Sequence, residues 1–451
     1  MRGLRAALLA ALLSAGPLGA ESLDLTPDAA IELAQRAYLG GNVTLAHAVA
    51  FRLHEAGVDD PRLPLLLSAT HTALGRPDEG RRWGARAWAA ARQEPDALRY
   101  EIARHTAAAA FRADELTRAQ FWLRRAADLA PGPAERAATL QDFGRLRQQN
   151  PLSAQLRLSV TPSDNLNGGA GSGALMVDEY YLGEQTGMAL ALEGLRSVAD
   201  LRLQWRLPPD AGGQTSFDAR LYGAFYSLTD KTKAETGVSS GAALNSTMAE
   251  AGVTRALRFG DRPLNLSAAA GQSWDSGEVA GPHLRLAARL PFGAPAAGLA
   301  AGISQERQWR DDGMTMALQF SLSGSQALAD LGRLGWSLSL RDVEAGFVNN
   351  TYRSATAEIS FDAARSLGPV RLGASAFVGV RDYPDYRLGP ITVVDGREDD
   401  RFGLSLDMTF ESMGVMGYAP SLSISGERSL SNISRFDTRS LEIGLGIVTV
   451  F

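Results

Sequence analysis

Apolar and polar residues alternate along the chain from residue 151 to the C-terminus. The last stretch ends with Phe451 and contains the apolar row Leu441, Ile443, Leu445 and Ile447. Successive side chains of a strand point to opposite faces, whereas a helix places apolar residues every three to four positions. The alternation therefore predicts strands. The clearest case is the segment 401–410, where apolar residues alternate with polar or small ones. The apolar residues are Phe402, Leu404, Leu406, Met408 and Phe410, and the others are Arg401, Gly403, Ser405, Asp407 and Thr409.

Fourteen segments show this alternation, and most are at least eleven residues long. That length suits a tilted strand that crosses the hydrocarbon layer, and an even number lets the first strand pair with the last. A soluble all-β domain also alternates, but it seldom keeps so many uniformly long strands with arginines on the inward row. The pattern predicts a fourteen-stranded antiparallel outer-membrane β-barrel over 151–451. The segments lie near 152–161, 188–207, 215–228, 245–259, 263–274, 280–291, 297–310, 313–326, 333–345, 351–363, 369–382, 398–411, 418–430 and 437–451.

Long and short connections alternate between these segments. Long polar connections are expected near 162–187, 229–244 and 383–397, and short turns near 260–262, 291–296 and 364–368. Bacterial outer-membrane barrels have their longer loops outside the cell and their short turns in the periplasm. Since the chain enters the first strand from the short-turn side, everything before residue 151 is expected in the periplasm of a Gram-negative cell.

The first part of the chain has helical features instead. Over residues 28–150 it is rich in Ala, Leu and Arg, and Gly41 and Gly75 lie 34 residues apart. That is the period of tetratricopeptide repeats, in which helical pairs stack because one pair cannot bury its apolar face alone. We predict a tetratricopeptide-like α-helical solenoid over 21–150, with an irregular helical domain as the alternative. Small and aromatic residues recur at helical spacing in one repeat: Gly80, Trp83, Gly84, Ala87 and Trp88.

Residues 1–20 have the features of a secretory signal peptide. Arg2 and Arg5 precede the apolar segment 6–13, and Gly16 and Pro17 follow it before an expected cleavage near Ala20. The apolar segment is much shorter than the ~20 residues of a transmembrane helix. The sequence thus predicts export, with the mature chain in the cell outer membrane.

Composition and motifs give little support to an enzyme. The net charge is −5 and there is no cysteine, which argues against a nucleic-acid partner and excludes thiolate chemistry. The five histidines lack metal-site spacing, and His283 stands alone on a predicted strand. Asp399 and Asp400 suggest a Ca²⁺ site only weakly, because acidic residues at loop ends are usually just solvated. We expect no catalytic site, no metal and no cofactor.

Two short motifs at the ends of the predicted barrel resemble a known family. The last hairpin contains a Gly-x-x-Pro strand at 417–420, a Ser-Asn-Ile loop at 431–433 and a Phe-Asp pair at 436–437, and Phe451 ends the chain. The first loop, 162–168, reads Pro-Ser-Asp-Asn-Leu-Asn-Gly. Both are similar to motifs of the surface lipoprotein assembly modifier (Slam) family. The family's basic residue before the terminal Phe is replaced here by Val450, and the first loop is longer and Gly-rich.

The resemblance implies a periplasmic tetratricopeptide domain followed by a fourteen-stranded barrel. It also implies a translocator that delivers surface lipoproteins or related secreted proteins to the cell surface. The implied partners are outer-membrane lipid, an exported client held by the repeat domain, and the barrel assembly machinery. A polysaccharide export porin and a passive solute porin remain alternatives. The candidate residues of the two motifs, expected to hold the loops in shape, are Pro162, Asn165, Asn167, Ser431 and Asn432.

Overall fold

A computed structural model of the chain describes residues 25–260, 262–293 and 297–450. The predicted signal peptide and Phe451 lie outside these residues. The chain divides into two compact units, the first extending to Leu146 and the second beginning at Arg147.

The first unit is a stack of helices, and the first six of them pack in order, each against the next. Helices α1, α3 and α5 begin about 35 residues apart, so the helical pairs repeat at nearly the predicted period. No helix in the described residues is both long and apolar enough to cross a membrane. The helices are α1 Pro27–Leu39, α2 Val43–Glu55, α3 Arg62–Ala73, α4 Pro77–Ala90, α5 Asp96–Arg112, α6 Leu116–Asp128 and α7 Pro133–Gln149.

Two glycines let neighbouring helices of this stack approach closely. A Cβ atom built on Gly84 of α4 would lie 2.2 Å from Thr106 Oγ1 of α5. One built on Gly80 would lie 2.1 Å from Thr72 Oγ1 and 2.8 Å from Ser68 O, both on α3. No side chain larger than hydrogen fits at these two positions without a shift of its neighbours.

The second unit is a closed antiparallel barrel of fourteen strands, so the predicted fold class is confirmed. Chain neighbours pair around the wall, and β1 closes the barrel by pairing with both β4 and β18. The wall consists of β1 Leu152–Ser163, β4 Gly194–Arg206, β5 Gly213–Leu228, β6 Ser246–Phe259, β7 Arg262–Asp275, β8 Glu278–Phe292, β9 Leu299–Arg310, β10 Gly313–Leu328, β11 Gly332–Ala345, β12 Tyr352–Ala363, β13 Arg371–Tyr383, β16 Arg397–Thr409, β17 Tyr418–Ser431 and β18 Thr438–Thr449.

The apolar row of each strand lies on the outside of the barrel. Leu404 is 69% exposed and Leu445 is 63% exposed, although both are aliphatic. Register continues the row across the closing pair, where Val160 lies opposite Leu445. A closed wall leaves no unpaired strand edge, and its apolar exterior matches hydrocarbon. This barrel is therefore built to span a lipid bilayer.

The two ends of the barrel differ. The end where β1 starts and β18 finishes has short connections, which we call the turn end. The opposite end, the loop end, has the long connections, including 164–193, 229–245 and 384–396. These loops contain ordered elements that the sequence did not predict: a hairpin of β2 Ala174–Val177 with β3 Tyr180–Glu184, helix α8 Asp230–Thr236, and a hairpin of β14 Arg387–Leu388 with β15 Ile391–Thr392.

Candidate functional site

Three loops meet at the loop end of the barrel, and we call them the loop cluster: loop A (164–193), loop B (384–396) and loop C (432–437). Loop A joins loop C through an antiparallel bridge between Val177 and Ile433. The backbone N–H of Asp178 donates to Asn432 O at 2.8 Å, and the N–H of Met176 donates to Ser434 Oγ at 2.8 Å. Loops far apart in the chain are thus joined by main-chain hydrogen bonds.

The loop cluster has an apolar core of its own. The buried residues come from loop B, loop C and the adjoining end of β13: Tyr383, Tyr386, Val393 and Ile433. Leu175 and Val177 of the β2–β3 hairpin pack against them, as does Phe436 of loop C. Burial also raises the pKa of the Tyr386 hydroxyl. The hairpin is therefore docked by apolar contact as well as by hydrogen bonds.

One arginine lies at the centre of this core. The guanidinium carbon of Arg397 is 3.2 Å from the ring centroid of Phe436 and 4.3 Å from that of Tyr383. Its nitrogens donate to both oxygens of Asp399 at 2.9 and 2.5 Å. Asp399 is only 2% exposed. A buried carboxylate is costly unless it is paired and hydrogen-bonded, and this bidentate partner satisfies it.

This ion pair places the loop cluster on the inner side of the barrel wall. Along β16, Arg397 and Asp399 lie in the same row as Arg401, and Glu398 and Asp400 lie in the opposite row. The opposite row continues to exposed Leu404, so it faces outward. The weak suggestion of a Ca²⁺ site at Asp399 and Asp400 is wrong in this geometry. The two carboxylates point to opposite faces of the strand, and Asp399 is bound by Arg397.

The two predicted asparagines of the first loop hold its ends together. Asn165 is buried, and its Nδ2 donates to Gly169 O at 2.9 Å and to Arg439 O on β18 at 3.1 Å. Asn167 accepts from Leu192 N at 3.0 Å. Its Nδ2 also donates to the carbonyls of Met188 and Leu190. Gly169 is buried in this arrangement, and its N–H donates to Asn165 Oδ1 at 2.8 Å, so this part of the Gly-rich segment is packed.

Of the other three predicted residues, Ser431 and Asn432 form hydrogen bonds at loop C, and Pro162 does not lie there. Asn432 accepts from Glu398 N at 3.0 Å and donates to Gly396 O at 3.1 Å, and Ser431 Oγ accepts from Ile433 N at 3.2 Å. Pro162 instead lies exposed on the outward row of β1, opposite Leu195 of β4. Four of the five residues therefore belong to the loop cluster or the strand end that carries it, and Pro162 does not.

Sequence reasoning missed three residues at the centre of the cluster: Tyr383, Tyr386 and Arg397. It named Asp399 only as a weak Ca²⁺ candidate and Phe436 only as part of a motif, and it did not bring them together. An alternating pattern assigns Arg397 and Asp399 to one strand face, and so could have signalled an inward pair. The aromatic residues carry no such signal, because they come together only through contacts between distant loops.

The inner wall is polar and differs from one side to the other. On the side of β4 to β8, Asp200 pairs with Arg220 at 2.8 Å and with Arg202 at 3.0 Å. His283 was predicted to stand alone but lies 3.1 Å from Glu250, which also binds Arg285. Arg202, Arg220, Glu250 and Arg285 line a cavity of about 670 Å³. On β10 to β17 the inward row contains many serines beside its charged residues: Ser321, Ser323, Ser337, Ser339, Ser360, Ser375, Ser405 and Ser425.

Arg206 of β4 binds backbone carbonyl groups just before β1. Its guanidinium donates to the carbonyl oxygens of Arg147 at 3.1 Å, Gln148 at 3.2 Å and Asn150 at 2.6 Å. The last carbonyls of a helix have no partner within that helix. Arg206 therefore satisfies backbone carbonyls of the segment that leads into β1, which belongs to the second unit like Arg206 itself.

No family model and no curated protein matches this chain. Among solved structures, the type III secretion translocator chaperone SycD of Yersinia enterocolitica is 22% identical over 28% of this chain and 88% of its own, with a TM-score of 0.25. OprB of Pseudomonas putida is 9% identical over 69% of this chain and 96% of its own, with a TM-score of 0.38. A bacterial polysaccharide outer membrane secretin is 14% identical over 66% and 98%, with a TM-score of 0.32. Such values describe distant likeness, so function must be inferred from the side chains of this chain.

Proposed function

We propose that this chain is an outer-membrane translocator that moves a polypeptide, a surface lipoprotein or a related secreted protein, from the periplasm to the cell surface. The observation that carries the proposal is the loop cluster. Loop A and loop C are hydrogen-bonded to each other. Loop A is also bonded to both strands of the closing pair, through Asn165 and Asp164 to β18 and through the N–H of Asn165 to Ser163 Oγ at the end of β1. An exit built around the closing pair suits a bulky client better than a small solute.

The orientation follows from the connectivity. The first residue of β1 is Leu152, at the turn end, and that end faces the periplasm in bacterial barrels. The helical unit would then lie in the periplasm, where a client arrives. Stacked helical repeats offer an extended surface for a peptide segment. The resemblance to the Slam family motifs is consistent with this assignment.

The character of the inner wall favours a polypeptide over a sugar polymer. Inward carboxylates and guanidinium groups occur together, as at Asp200 with Arg202 and Arg220. Further inward charges of both signs lie at Arg289, Glu358 and Asp407. A channel for an acidic polysaccharide is expected to present mainly one sign, whereas a polypeptide carries both.

The test is the surface exposure of a client in intact cells. Lipoproteins of the source bacterium, first any encoded beside this chain, are co-expressed with three forms of it: the full chain, a chain lacking residues 25–146, and an Asn165→Ala/Asn432→Ala variant. External protease then reports which client has reached the surface. We expect full exposure with the full chain, and strongly reduced exposure with the other two.

If the test fails, one of two other functions replaces this proposal. If every client tested reaches the surface equally without this chain, translocation of protein is not its function. Loss of capsular or secreted sugar in the deletion strain would then identify a polysaccharide exporter. Rapid swelling of liposomes that contain the purified chain, in the presence of small sugars, would identify a passive porin.

A further inference from the structure

Three helices of the first unit bring two arginines and three aromatic rings together, and we call this group the arginine–aromatic site. The guanidinium carbon of Arg125 lies 4.8, 4.3 and 4.9 Å from the ring centroids of Trp88, Phe121 and Trp122. That of Arg99 lies 4.8 Å from the centroid of Trp88. Trp88 comes from the last turn of α4, Arg99 from the first turn of α5, and the other three residues from α6.

The rings form the floor of the site. Trp122 is 8% exposed and meets Trp88 edge to face, with 5.4 Å between their centroids. Phe121, by contrast, is 40% exposed. The Arg99 side chain keeps 28% of its surface exposed. A ligand can therefore reach both the charged groups and an apolar ring from solvent.

The positive charge of this site is poorly neutralised. Among the described residues, no carboxylate lies within ion-pair distance of Arg125, and only Asp96 does so for Arg99, at 3.2 Å. That carboxylate is itself 70% exposed. Arg99 Nε is buried without a hydrogen-bond partner in the described part of the chain. By contrast, Arg104 of the same unit is paired and hydrogen-bonded to Asp142 at 2.6 Å.

The two guanidinium groups, which share the ring of Trp88, carry like charges and repel each other. Burial, and then the charge of Arg99, lowers the pKa of the Arg125 guanidinium. The cation–π contacts offset part of this repulsion, but they satisfy none of the N–H donors. An incoming carboxylate would satisfy those donors and reduce the repulsion at once, and bidentate pairing with a carboxylate is the contact that guanidinium groups favour.

We propose that the arginine–aromatic site binds an acidic side chain of a polypeptide that carries an aromatic or aliphatic residue beside it. The carboxylate lies between Arg99 and Arg125, and the apolar neighbour packs on Phe121. That the polypeptide is the transported client rests on the proposed function; the binding chemistry does not.

The experiment measures peptide binding to the full chain in detergent micelles by fluorescence anisotropy. The probe is a labelled hexapeptide of alternating glutamate and phenylalanine, and the matched probe has glutamine in place of each glutamate. We expect the acidic probe to bind at least about tenfold more tightly, which corresponds to about 1.4 kcal/mol. Its affinity should fall as salt is added, because the contact is partly exposed.

Two variants remove the charges separately. Arg125→Gln and Arg99→Gln are each expected to weaken the acidic probe about tenfold and to leave the glutamine probe unchanged. The control is Arg36→Gln, which removes an equal charge from an exposed ion pair on α1 and should change neither affinity. Far-ultraviolet circular dichroism verifies that each variant is folded. If Arg125→Gln fails this check, Arg99→Gln alone decides.

Three results would overturn the proposal: equal affinity for the two probes, unchanged affinity in the folded arginine variants, or full displacement of the probe by inorganic phosphate at equal concentration. The last would make this a general anion site. The proposed function is tested separately. If probe binding behaves as expected but no client depends on the chain for surface exposure, translocation is wrong and the site stands. If surface exposure depends on the chain but the probes bind alike, the site is wrong and translocation stands.

Discussion

Single residues determine how closely the helices of the first unit approach. Gly84 faces the buried hydroxyl and methyl groups of Thr106, whereas Gly144 of α7 has no atom within 4 Å of its hypothetical Cβ. The same residue type therefore has two different functions here. At Gly84 the missing side chain is a packing requirement, and at Gly144 it only costs helix propensity.

We predict that Gly84→Ala lowers the free energy of unfolding of the helical unit by about 1–3 kcal/mol, because the new methyl group overpacks the contact with α5. Gly144→Ala is the control and should raise it by about 0.5–1 kcal/mol. Urea unfolding followed by the helical circular dichroism signal measures both. Equal effects of the two substitutions would contradict the packing role of Gly84.

Three histidines of the same unit, His47, His71 and His105, lie in surroundings that lower their pKa. His71 is 6% exposed, and its ring centroid lies 4.5 Å from that of His47. Burial, and then the nearby charge of His47, lowers the pKa of His71. Burial, and then Arg76, lowers the pKa of His47, while Glu79 acts against both shifts. Burial also lowers the pKa of His105.

We predict that the helical unit loses stability as the pH falls from 7 through the ordinary histidine pKa of about 6.5. In that range the unfolded chain takes up protons that the folded chain does not, so the free energy of unfolding decreases until the lower folded pKa is passed. Urea unfolding at a series of pH values measures it. His71→Gln should make the profile flatter, and an unchanged profile would refute the role of His71.

Among the elements, strands could be predicted from the sequence and loops could not. A strand in a membrane wall shows its two environments in every second residue, which is a local signal. The docking of loop A rests on bonds between residues far apart in the chain. Asn165 and Arg439 are separated by 274 positions, and Ala174 and Ser434 by 260. A single sequence carries no pattern for such pairs, so the β2–β3 hairpin and the centre of the loop cluster were missed.

We predict that the Arg397→Ala substitution detaches the β2–β3 hairpin from the rest of the loop cluster. Removing the guanidinium leaves Asp399 buried and unpaired, which costs about 3–5 kcal/mol. Limited chymotrypsin digestion of whole cells should then cut loop A severalfold faster at exposed Tyr180 or Tyr181. Arg353→Ala, an exposed arginine 3.8 Å from Asp342 on the outer row, is the control and should digest like the unaltered chain. Equal digestion of both variants would mean that Arg397 does not hold the hairpin.

For the whole molecule, closure of the wall is the dominant property. With β1 paired to both β4 and β18, no wall strand offers a free edge from which unfolding could start. We predict that the chain fractionates with outer membranes and migrates faster on gels when unheated than after boiling in detergent. Recovery in the soluble fraction after gentle lysis, or mobility unaffected by boiling, would contradict a membrane-spanning closed barrel.

The closing pair also dictates an order of events during biogenesis. Leu156 on β1 exchanges hydrogen bonds with Thr449 on β18, 293 positions later, so the pair cannot form until β18 has been synthesised. The helical unit depends on contacts of low sequence separation and can fold long before that. A prematurely terminated product would thus keep a folded N-terminal unit while its sheet exposed two unpaired edges. Such a product is a substrate for chaperones and proteases, and the interval before the wall closes is when this chain is most prone to aggregation.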